Sequence, residues 1–412
     1  MKVILFGDLA ATGFGTVTMD LGRELLDLGC DLRFVSQNEL GELPEPFASR
    51  TFSLADPANF DPERVAEYGA NSLSLTALGV VGLLDGRLWR DGWIPDAAVV
   101  LGDYVNVQLV VMADALTQAA FAALPSFHYV PIEGVDLPPS WKPMWDVIRP
   151  IAMSEFGADQ IERVTGVRPP VVYHGVDTKA FRPLTPSTVL RLGDKKLRTK
   201  AAARKFLGAD ASTRWVLRCD RNMPRKRYGS LLRAMAPVMA TRPDVLLVLH
   251  CLARDQGGDI RALISKYPPS IGNRIILTGL IEQWGAVPRE FLVALYNAAD
   301  VYASVSAEGF GLTIAEAMAC GVPAVGMAYS AVPEVIGPGG LLAPVNHLID
   351  NEYDHAWAGV DEQAFGEAVA RLLDDQGLRE QLGRAARAHV VASFSWVTAA
   401  RQVSGIIADA LG

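Results

Sequence analysis

The chain has few cysteines and no long apolar segment. Four cysteines occur among 412 residues, each standing singly among apolar neighbours. This spacing predicts reduced and mostly buried thiols rather than disulfides or metal ligands. No uninterrupted apolar run approaches the ~18 residues that cross a bilayer, and the first residues lack the apolar core and cleavage site of a signal peptide. We therefore expect a cytoplasmic protein.

Sequence patterns for metal ions and nicotinamide cofactors are missing as well. The chain contains no Asp-x-Asp, and no group of His, Cys and Asp has metal-ligand spacing. We therefore expect neither a metal ion nor another cofactor. A nicotinamide fingerprint, Gly-x-Gly-x-x-Gly, beginning at Gly13 would need glycine at position 18, where the chain has Thr18. This difference disfavours a dehydrogenase.

Length and composition indicate two globular domains. The residues are 50% hydrophobic and 20% charged, and a chain of 412 residues is too long for one ordinary core. The net charge is −8, yet 14 basic residues face 3 acidic ones between Arg191 and Arg233. This segment predicts a bound anion. For its first part, Arg191 to Lys205, a solvated helix face is the preferred interpretation.

Short apolar runs alternate with amphipathic segments along the chain, which predicts an α/β fold with parallel sheets wrapped by helices. In the first half we expect strands over 3–6, 32–35, 99–101, 127–130 and 171–173, and helices over 16–28 and 155–165. The same rhythm restarts with strands over 215–219, 245–249, 274–277, 301–303 and 324–326, and a helix over 201–208. Glycine and proline between 171 and 183 indicate a linker.

The most informative motif begins at Glu308 and ends at Pro323. Gly309 and Gly311 relax the backbone of a loop, and the residues that follow are good helix formers. A helix that begins in this way presents free N–H groups and a positive dipole end, which suit a phosphate. Glu308 would lie beside the ligand and Glu316 about one turn into the helix. Backbone amides suit a diphosphate, and carboxylates suit sugar hydroxyls. Their combination indicates a sugar nucleotide as the ligand.

This motif resembles the signature of retaining, nucleotide-sugar-dependent glycosyltransferases of the GT-B fold, family 4 in particular. The similarity lies in the Glu-x7-Glu spacing, the Gly-Phe-Gly-Leu between the glutamates and the trailing Glu-Ala-Met-Ala-Cys-Gly-Val-Pro. It implies two doubly wound Rossmann-like domains facing a central cleft. Residues 1–177, completed by a closing helix over 395–412, would bind the acceptor, and residues 178–394 would bind the nucleotide sugar, a UDP- or GDP-linked hexose.

The resemblance also assigns catalytic groups in the second domain. Arg221 and Lys226 stand five residues apart after a predicted strand, and they would neutralise the departing diphosphate. Arg218 and Arg225 are neighbours that compete with Arg221 for this assignment. Glu308 would contact hydroxyls of the transferred sugar, and retention of configuration is implied by the resemblance alone. We hypothesise a same-face attack guided by the leaving phosphate.

Substrate-binding residues follow from the same resemblance. In the second domain Glu316 would contact the ribose, the base would lie near Gly279 and Leu280, and backbone amides of Phe310, Gly311, Leu312 and Thr313 would meet the sugar or the phosphate. In the first domain Gly13 and Gly15 would approach the diphosphate, although any strand-to-helix turn uses glycine. His128 would face the transferred sugar, with a structural hydrogen-bonding role as the alternative.

The acceptor is not readable from the sequence, and a glycan, lipid, protein, nucleic acid or small molecule all remain open. Four tryptophans, Trp89, Trp93, Trp141 and Trp145, could stack on sugars, dip into a membrane interface or pack in the core. Membrane association is not predicted. Two other functions compete with glycosyl transfer: a GT-B sugar-nucleotide epimerase or glycan phosphorylase, and a non-catalytic module that binds nucleotide sugars.

Overall fold

The computed structural model describes residues 1–10, 12–36, 42–54, 79–89, 91–279 and 287–412. These residues pack into two units. The first contains Met1–Gly175, Glu352–His355 and Trp396–Gly412, and the second contains Val176–Asn351 and Ala356–Ser395. Each unit has a hydrophobic core of its own, built around a six-stranded parallel sheet.

The sheet of the first unit has the order β3-β2-β1-β4-β5-β6. Its strands are Lys2–Phe6 (β1), Asp31–Ser36 (β2), Thr51–Ser53 (β3), Ala97–Leu101 (β4), Ser126–Val130 (β5) and Arg149–Ala152 (β6). The central strands are short apolar runs buried along nearly their whole length, because helices cover both faces of a parallel sheet. Strand β1 pairs with β2 on one side and β4 on the other, so the strand order reverses beside β1.

The first unit contains helices, four of which begin at polar capping residues. Their bounds are Gly13–Asp27 (α1), Tyr104–Val111 (α2), Ala115–Ala122 (α3), Lys142–Val147 (α4), Glu155–Thr165 (α5) and, at the end of the chain, Trp396–Leu411. The side chains of Thr12, Asp103, Asp114 and Ser154 each accept a hydrogen bond from an amide in the first turn of α1, α2, α3 and α5. The last helix packs against α1.

The parallel sheet of the second unit has the order β13-β10-β9-β14-β15-β16, and three antiparallel hairpins accompany it. The strands are Leu190–Leu192 (β7), Lys195–Leu197 (β8), Arg214–Cys219 (β9), Val245–His250 (β10), Arg254–Asp255 (β11), Gly258–Asp259 (β12), Ile275–Leu277 (β13), Val301–Ser304 (β14), Ala324–Met327 (β15), Gly340–Ala343 (β16), Val345–Asp350 (β17) and Ala356–Val360 (β18). The order reverses between β9 and β14, and such a switch point is where ligands of open α/β sheets bind.

Helices of the second unit flank this sheet. They are Lys200–Phe206 (α6), Tyr228–Ala240 (α7), Ile260–Ile264 (α8), Pro269–Gly272 (α9), Arg289–Ala298 (α10), Leu312–Ala319 (α11), Val332–Ile336 (α12), Glu362–Asp374 (α13) and Gln376–Ser393 (α14). Helix α13 packs against α7, and α14 packs against α11. The α7–α13 contact is close because Gly366 lies where a Cβ atom would come within 2.6 Å of the carbonyl oxygen of Ala234.

The predicted α/β class, with parallel sheets in both halves, is confirmed, and two local predictions need correction. Residues 171–173 do not form a strand, because Val171 makes only one isolated bridge, to Ala152 at the end of the short edge strand β6. The helix predicted over 201–208 is Lys200–Phe206, since the Thr199 side chain caps its first turn. The four cysteines are buried thiols, as expected.

All four tryptophans named above are core residues. Trp141 stacks on Tyr104 with ring centroids 3.9 Å apart, and Trp89 meets Trp93 edge to face at 5.5 Å. Trp145 also packs against Tyr104. Because each tryptophan is at most 8% exposed, packing rather than sugar or membrane contact explains these residues.

Two helical stretches among the described residues pass a length and composition test for crossing a membrane. One is Gln376–Leu411, and the other is the bent pair α2 and α3 counted together. Core helices of globular proteins pass the same test, and Ala399, Val403 and Ile407 of the last helix are buried in the first unit. The signal is therefore weak, and the cytoplasmic location stays a prediction.

Candidate active site

The candidate site of the second unit lies at the carboxyl ends of β9 and β14. These strands are neighbours in the sheet, with Tyr302 of β14 aligned with Leu217 of β9. The segments that follow them therefore meet at the switch point. One segment begins at Asp220, directly after β9, and the other leads from Ser304 to Glu308.

A buried ion pair joins the two segments. The ammonium group of Lys226 lies 2.6 Å from Oε1 and 2.7 Å from Oε2 of Glu308. The same ammonium group lies 2.7 Å from Oδ1 of Asp220. Both Lys226 and Glu308 are 6% exposed, so these charge-assisted contacts form in a low-dielectric environment.

Two arginines complete the cluster. Arg218 is fully buried, and its guanidinium lies 2.6 Å from Oδ2 of Asp220 and donates to the Ser306 hydroxyl at 2.6 Å. Arg225 is partly exposed and donates to Oε2 of Glu308 at 3.2 Å. Three cations thus face two carboxylates, which leaves a formal charge of +1. An anionic ligand would find this site favourable.

The surrounding cations decide the ionisation of Glu308. Burial by itself would raise the pKa of this carboxyl, but Lys226, Arg225 and Arg218 together hold it well below its ordinary range. The Ser306 hydroxyl also donates to Oε1 of Glu308, at 2.5 Å. Glu308 is therefore a carboxylate at neutral pH and accepts hydrogen bonds.

A tight turn places Lys226 against Glu308. Residues Pro224–Lys226 form one turn of 3-10 helix, and Arg227 then adopts a left-handed backbone, φ 52°, before helix α7 begins. A left-handed non-glycine residue is strained by roughly 1 kcal/mol. Upstream, the side-chain amide of Asn222 donates to the carbonyl oxygen of Gly258 at 2.8 Å. The loop is thereby tied to the β11–β12 hairpin.

The structure does not bring Arg221 into this cluster. Its guanidinium donates to Asp255 of β11 at 2.8 Å, and its side chain is 56% exposed. Arg218 and Arg225, the competing candidates in the sequence, are the arginines that surround Glu308. Two of the predicted residues, Lys226 and Glu308, therefore lie together in the structure, whereas the predicted Arg221 does not join them.

Helix α11 begins in the glycine-flanked loop. Gly311, at φ 104°, is the residue before the helix, and it has no side chain to cap the first amides. Leu312 and Thr313 are the first two helical residues, and Tyr302 donates to the Thr313 hydroxyl at 2.8 Å. Phe310 anchors the loop, because its buried ring packs edge to face against the ring of Phe394, with the ring centroids 5.0 Å apart. First-turn amides of this helix can therefore face a ligand.

Glu316, the second glutamate, lies near the middle of α11. Its Oε2 atom accepts a hydrogen bond from the Tyr296 hydroxyl at 2.7 Å. Tyr296 is fully buried in α10, so the glutamate is oriented by a rigid neighbour. Sequence reasoning did not identify Tyr296, because its contact with Glu316 spans 20 residues and two helices.

The predicted base site is described in part. Gly279 adopts a left-handed backbone, φ 65°, two residues after β13, whereas Leu280 lies outside the described residues. At the same sheet edge the Nδ1 atom of His250 lies 2.8 Å from the Thr278 hydroxyl. His250 and Thr278 are thus polar groups beside the predicted base position that the sequence did not single out.

Comparison with known proteins finds a family match that lies mostly in the second unit. Residues 215–375 match the family model described as Glycosyl transferases group 1. This part of the chain is therefore similar to group 1 glycosyl transferases. The matched residues include Lys226, Glu308 and Glu316 of the candidate site.

Curated relatives of the chain are named as mannosyltransferases or glycosyltransferases. The chain is 28% identical over 242 residues to a GDP-mannose-dependent monoacylated alpha-(1-6)-phosphatidylinositol monomannoside mannosyltransferase of Corynebacterium glutamicum, covering 57% of this chain and 54% of the relative. It is 34% identical over 227 residues to a D-inositol 3-phosphate glycosyltransferase of Segniliparus rotundus, covering 55% and 43%. The matched region spans about half the length of these relatives.

The whole chain also resembles solved structures. Sucrose-phosphate synthase from Thermosynechococcus elongatus superposes with a TM-score of 0.71 at 21% identity, over 99% of this chain and 98% of that one. Such neighbours have the GT-B fold. The predicted GT-B fold is therefore confirmed.

The first unit of the chain places Gly13 and Gly15 at the start of α1. Oδ1 of Asp8 accepts from the Ala10 amide at 2.9 Å, and Oδ2 accepts from the Thr12 hydroxyl at 2.6 Å. A Cβ atom on Gly15 would come within 1.8 Å of the carbonyl oxygen of Ala10, whereas one on Gly13 would meet nothing within 4 Å. Close packing therefore explains glycine at 15, while Gly13 leaves open space.

His128 is a buried hydrogen-bonding residue. The indole N–H of Trp145 donates to its Nδ1 at 3.2 Å, so its Nε2 carries the proton and donates to the carbonyl oxygen of Gly102 at 3.0 Å. Burial lowers the pKa of His128 to about 4, and only the Gly102 contact opposes this. Both ring nitrogens are engaged within the first unit, which is the structural alternative weighed for this residue. Contact with a sugar stays a prediction.

In the part of the chain that the structure describes, no group of three or more His, Cys, Asp or Glu side chains is arranged to hold a metal ion. The positive charge of the site comes from Arg218, Arg225 and Lys226.

Proposed function

We propose that the chain is a retaining glycosyltransferase, which moves a hexose-type sugar from a nucleoside diphosphate sugar to an acceptor hydroxyl. One observation carries the proposal: the buried contact between Lys226 and Glu308 at the switch point of a group 1 glycosyltransferase domain. An ammonium suits the diphosphate and a carboxylate suits sugar hydroxyls. The two groups are neighbours here, as the sugar and its phosphate are neighbours in the donor.

The proposed reaction breaks the bond between the anomeric carbon and the phosphate oxygen. The electron pair stays on the departing phosphate, where Lys226 and Arg225 meet the growing charge. The acceptor oxygen bonds to the anomeric carbon from the same face, and its proton passes to the leaving phosphate, so the configuration is retained. We propose that no divalent cation is required, because these cations and the first amides of α11 supply the positive charge.

For the donor and the acceptor we propose chemical classes rather than single compounds. The names of the two relatives refer to GDP-mannose and to inositol-containing acceptors, and they support a GDP- or UDP-linked hexose and an acceptor that contains inositol phosphate. In this proposal residues 178–394 hold the donor, with Glu316 at the ribose, and residues 1–177 with 395–412 hold the acceptor.

The first test is ligand binding. Isothermal titration with GDP, UDP and ADP, each with EDTA and then with magnesium, should show that one base binds preferentially and without magnesium. Lys226→Met should abolish this binding. A matched control is Lys142→Met, which removes an exposed lysine that is paired with Asp146 in the first unit. Absence of binding by the unmodified protein would overturn the proposal.

The second test is turnover. The protein is incubated with the GDP- and UDP-linked hexoses and either inositol phosphate or phosphatidylinositol vesicles, and products are identified by mass spectrometry and NMR. An α-linked product from an α-linked donor supports retention, and a β-linked product contradicts it. Donor consumed without any glycosylated acceptor would instead favour an epimerase, and donor bound but unchanged would favour a binding module.

A further inference from the structure

Asp220 is a buried carboxylate that the proposed reaction has not used. It directly follows β9, and its side chain is 8% exposed. Its amide donates to the carbonyl oxygen of His250 at 3.2 Å, and its own carbonyl oxygen accepts from the Tyr228 hydroxyl at 2.8 Å. The backbone of Asp220 is therefore held from two sides, by β10 and by α7.

The carboxylate of Asp220 bridges two cations. Oδ1 lies 2.7 Å from the ammonium group of Lys226, and Oδ2 lies 2.6 Å from the guanidinium of Arg218. The second contact is an ion pair without hydrogen-bond geometry, and Arg218 is fully buried. The Arg218 side of the carboxylate is thus closed to a ligand, and the Lys226 side faces the site.

Lys226 is consequently shared between carboxylates on two different segments. Glu308 follows β14, and Asp220 follows β9. An ammonium group has three hydrogens to donate, and its three short contacts are to both oxygens of Glu308 and to one of Asp220. Any donor that engages both Lys226 and Glu308 must weaken their mutual contact, whereas the Asp220 contact can persist.

We propose that Asp220 is a positioning residue, which keeps the ammonium group of Lys226 in place when the donor diphosphate separates Lys226 from Glu308. The inference rests on the proposed function. Lys226 lies beside the carboxylate that would contact the sugar, so it would meet the phosphate nearer the sugar. Asp220 therefore acts on the second phosphate of the nucleotide, through Lys226, without touching the ligand.

This role predicts the direction in which affinity for the nucleoside diphosphate changes when Asp220 is neutralised, and simple electrostatics predicts the opposite direction. Removing a negative charge from the site would by itself strengthen the binding of an anion, because the formal charge rises from +1 to +2. Loss of a purely structural contact would lower the melting temperature and leave affinity unchanged. Loss of a positioning residue weakens the binding of a nucleoside diphosphate despite the added positive charge.

The experiment compares the unmodified protein with Asp220→Asn. Isothermal titration measures Kd for the preferred nucleoside diphosphate and for the corresponding monophosphate. We expect Asp220→Asn to raise Kd about tenfold for the diphosphate, a loss of about 1.4 kcal/mol, and less than twofold for the monophosphate. The control is Asp244→Asn, which removes the carboxylate paired with Arg214 at the opposite ends of β9 and β10. We expect Kd to stay unchanged in this control.

A second variant covers the case in which Asp220→Asn does not fold. Asp220→Glu keeps the charge beside Arg218 but displaces the carboxylate by one methylene, and we expect a Kd for the diphosphate that is several-fold higher. Unchanged or tighter diphosphate binding in either folded variant overturns this inference and leaves the proposed function intact. An unmodified protein that binds no nucleoside diphosphate overturns both.

Discussion

Lys226 and Glu308 stand 82 residues apart in the chain, and their charged groups lie in direct contact within a buried site. In the free protein these two charged groups bind each other, whereas we assign the ammonium group to the phosphate of the donor and the carboxylate to its sugar. Donor binding would therefore replace the charge-assisted hydrogen bonds between Lys226 and Glu308 with charge-assisted hydrogen bonds to the donor. Such a site is preorganised, because its charges are already desolvated and oriented.

Removing Lys226 should affect stability as well as binding. Lys226→Met leaves Glu308 buried with Arg225 and Arg218 as its remaining cations, and we expect the free energy of unfolding to fall by about 3 kcal/mol. The double variant Lys226→Met/Glu308→Gln should recover part of this loss, because the buried carboxylate that has lost its ammonium partner at 308 is then absent. Urea denaturation measures both. Equal stability of Lys226→Met and the unmodified protein would contradict the buried ion pair.

Tyr296 should influence recognition of the ribose through Glu316. Tyr296→Phe removes the hydrogen bond that orients the carboxylate, and we expect Kd for the ribonucleoside diphosphate to rise about fivefold, equivalent to about 1 kcal/mol. Kd for the 2′,3′-dideoxy analogue should not change. Tyr302→Phe is the control, since this buried tyrosine contacts Thr313 instead. An equal effect on both nucleotides would mean that Glu316 does not contact the ribose.

His128 should make the stability of the first unit depend on pH. Its pKa is about 4 in the folded protein and about 6.5 in an unfolded chain. Between these values only the unfolded chain binds the proton, so the free energy of unfolding falls as pH decreases from 6.5 to 4, by up to about 3 kcal/mol.

The pH experiment compares variants by urea denaturation across this range. His174, whose pKa burial lowers to about 3, should contribute a loss of the same sign. His128→Phe should be less stable at neutral pH, because the Gly102 carbonyl and the Trp145 indole lose their partner, and its stability should depend less steeply on pH. An unaltered slope in His128→Phe would contradict a buried neutral imidazole.

The two glycines at the start of α1 should respond differently to alanine. Gly15→Ala places a Cβ atom 1.8 Å from the Ala10 carbonyl oxygen, and the backbone must move, so we expect a loss on the order of 2 kcal/mol or more in the free energy of unfolding. Gly13→Ala meets no atom and should be neutral or slightly stabilising. Thermal denaturation distinguishes the two, and equal losses would contradict the observed close approach.

Local patterns predicted the central strands well, because a buried strand of a parallel sheet is an uninterrupted apolar run whatever its partners are. They missed the edge strands β3, β6 and β16, although they found the edge strand β13. Thr51–Ser53 has only three residues and Arg149–Ala152 contains a proline, so neither has a clear apolar period. Residues 171–173 have such a period, yet they lie beyond the short strand β6 and form a single bridge.

The sequence by itself determined the α/β class, the resemblance to a glycosyltransferase family and the loop that leads from Glu308 into α11, because periodicity, glycine placement and motif spacing are local properties. Only the tertiary structure decided that Arg218 and Arg225, rather than Arg221, surround Glu308, that Asp220 holds Lys226 and that His128 has both nitrogens engaged. These contacts depend on which strand ends meet in the sheet and on what is buried between them, and neither is encoded in the spacing along the chain.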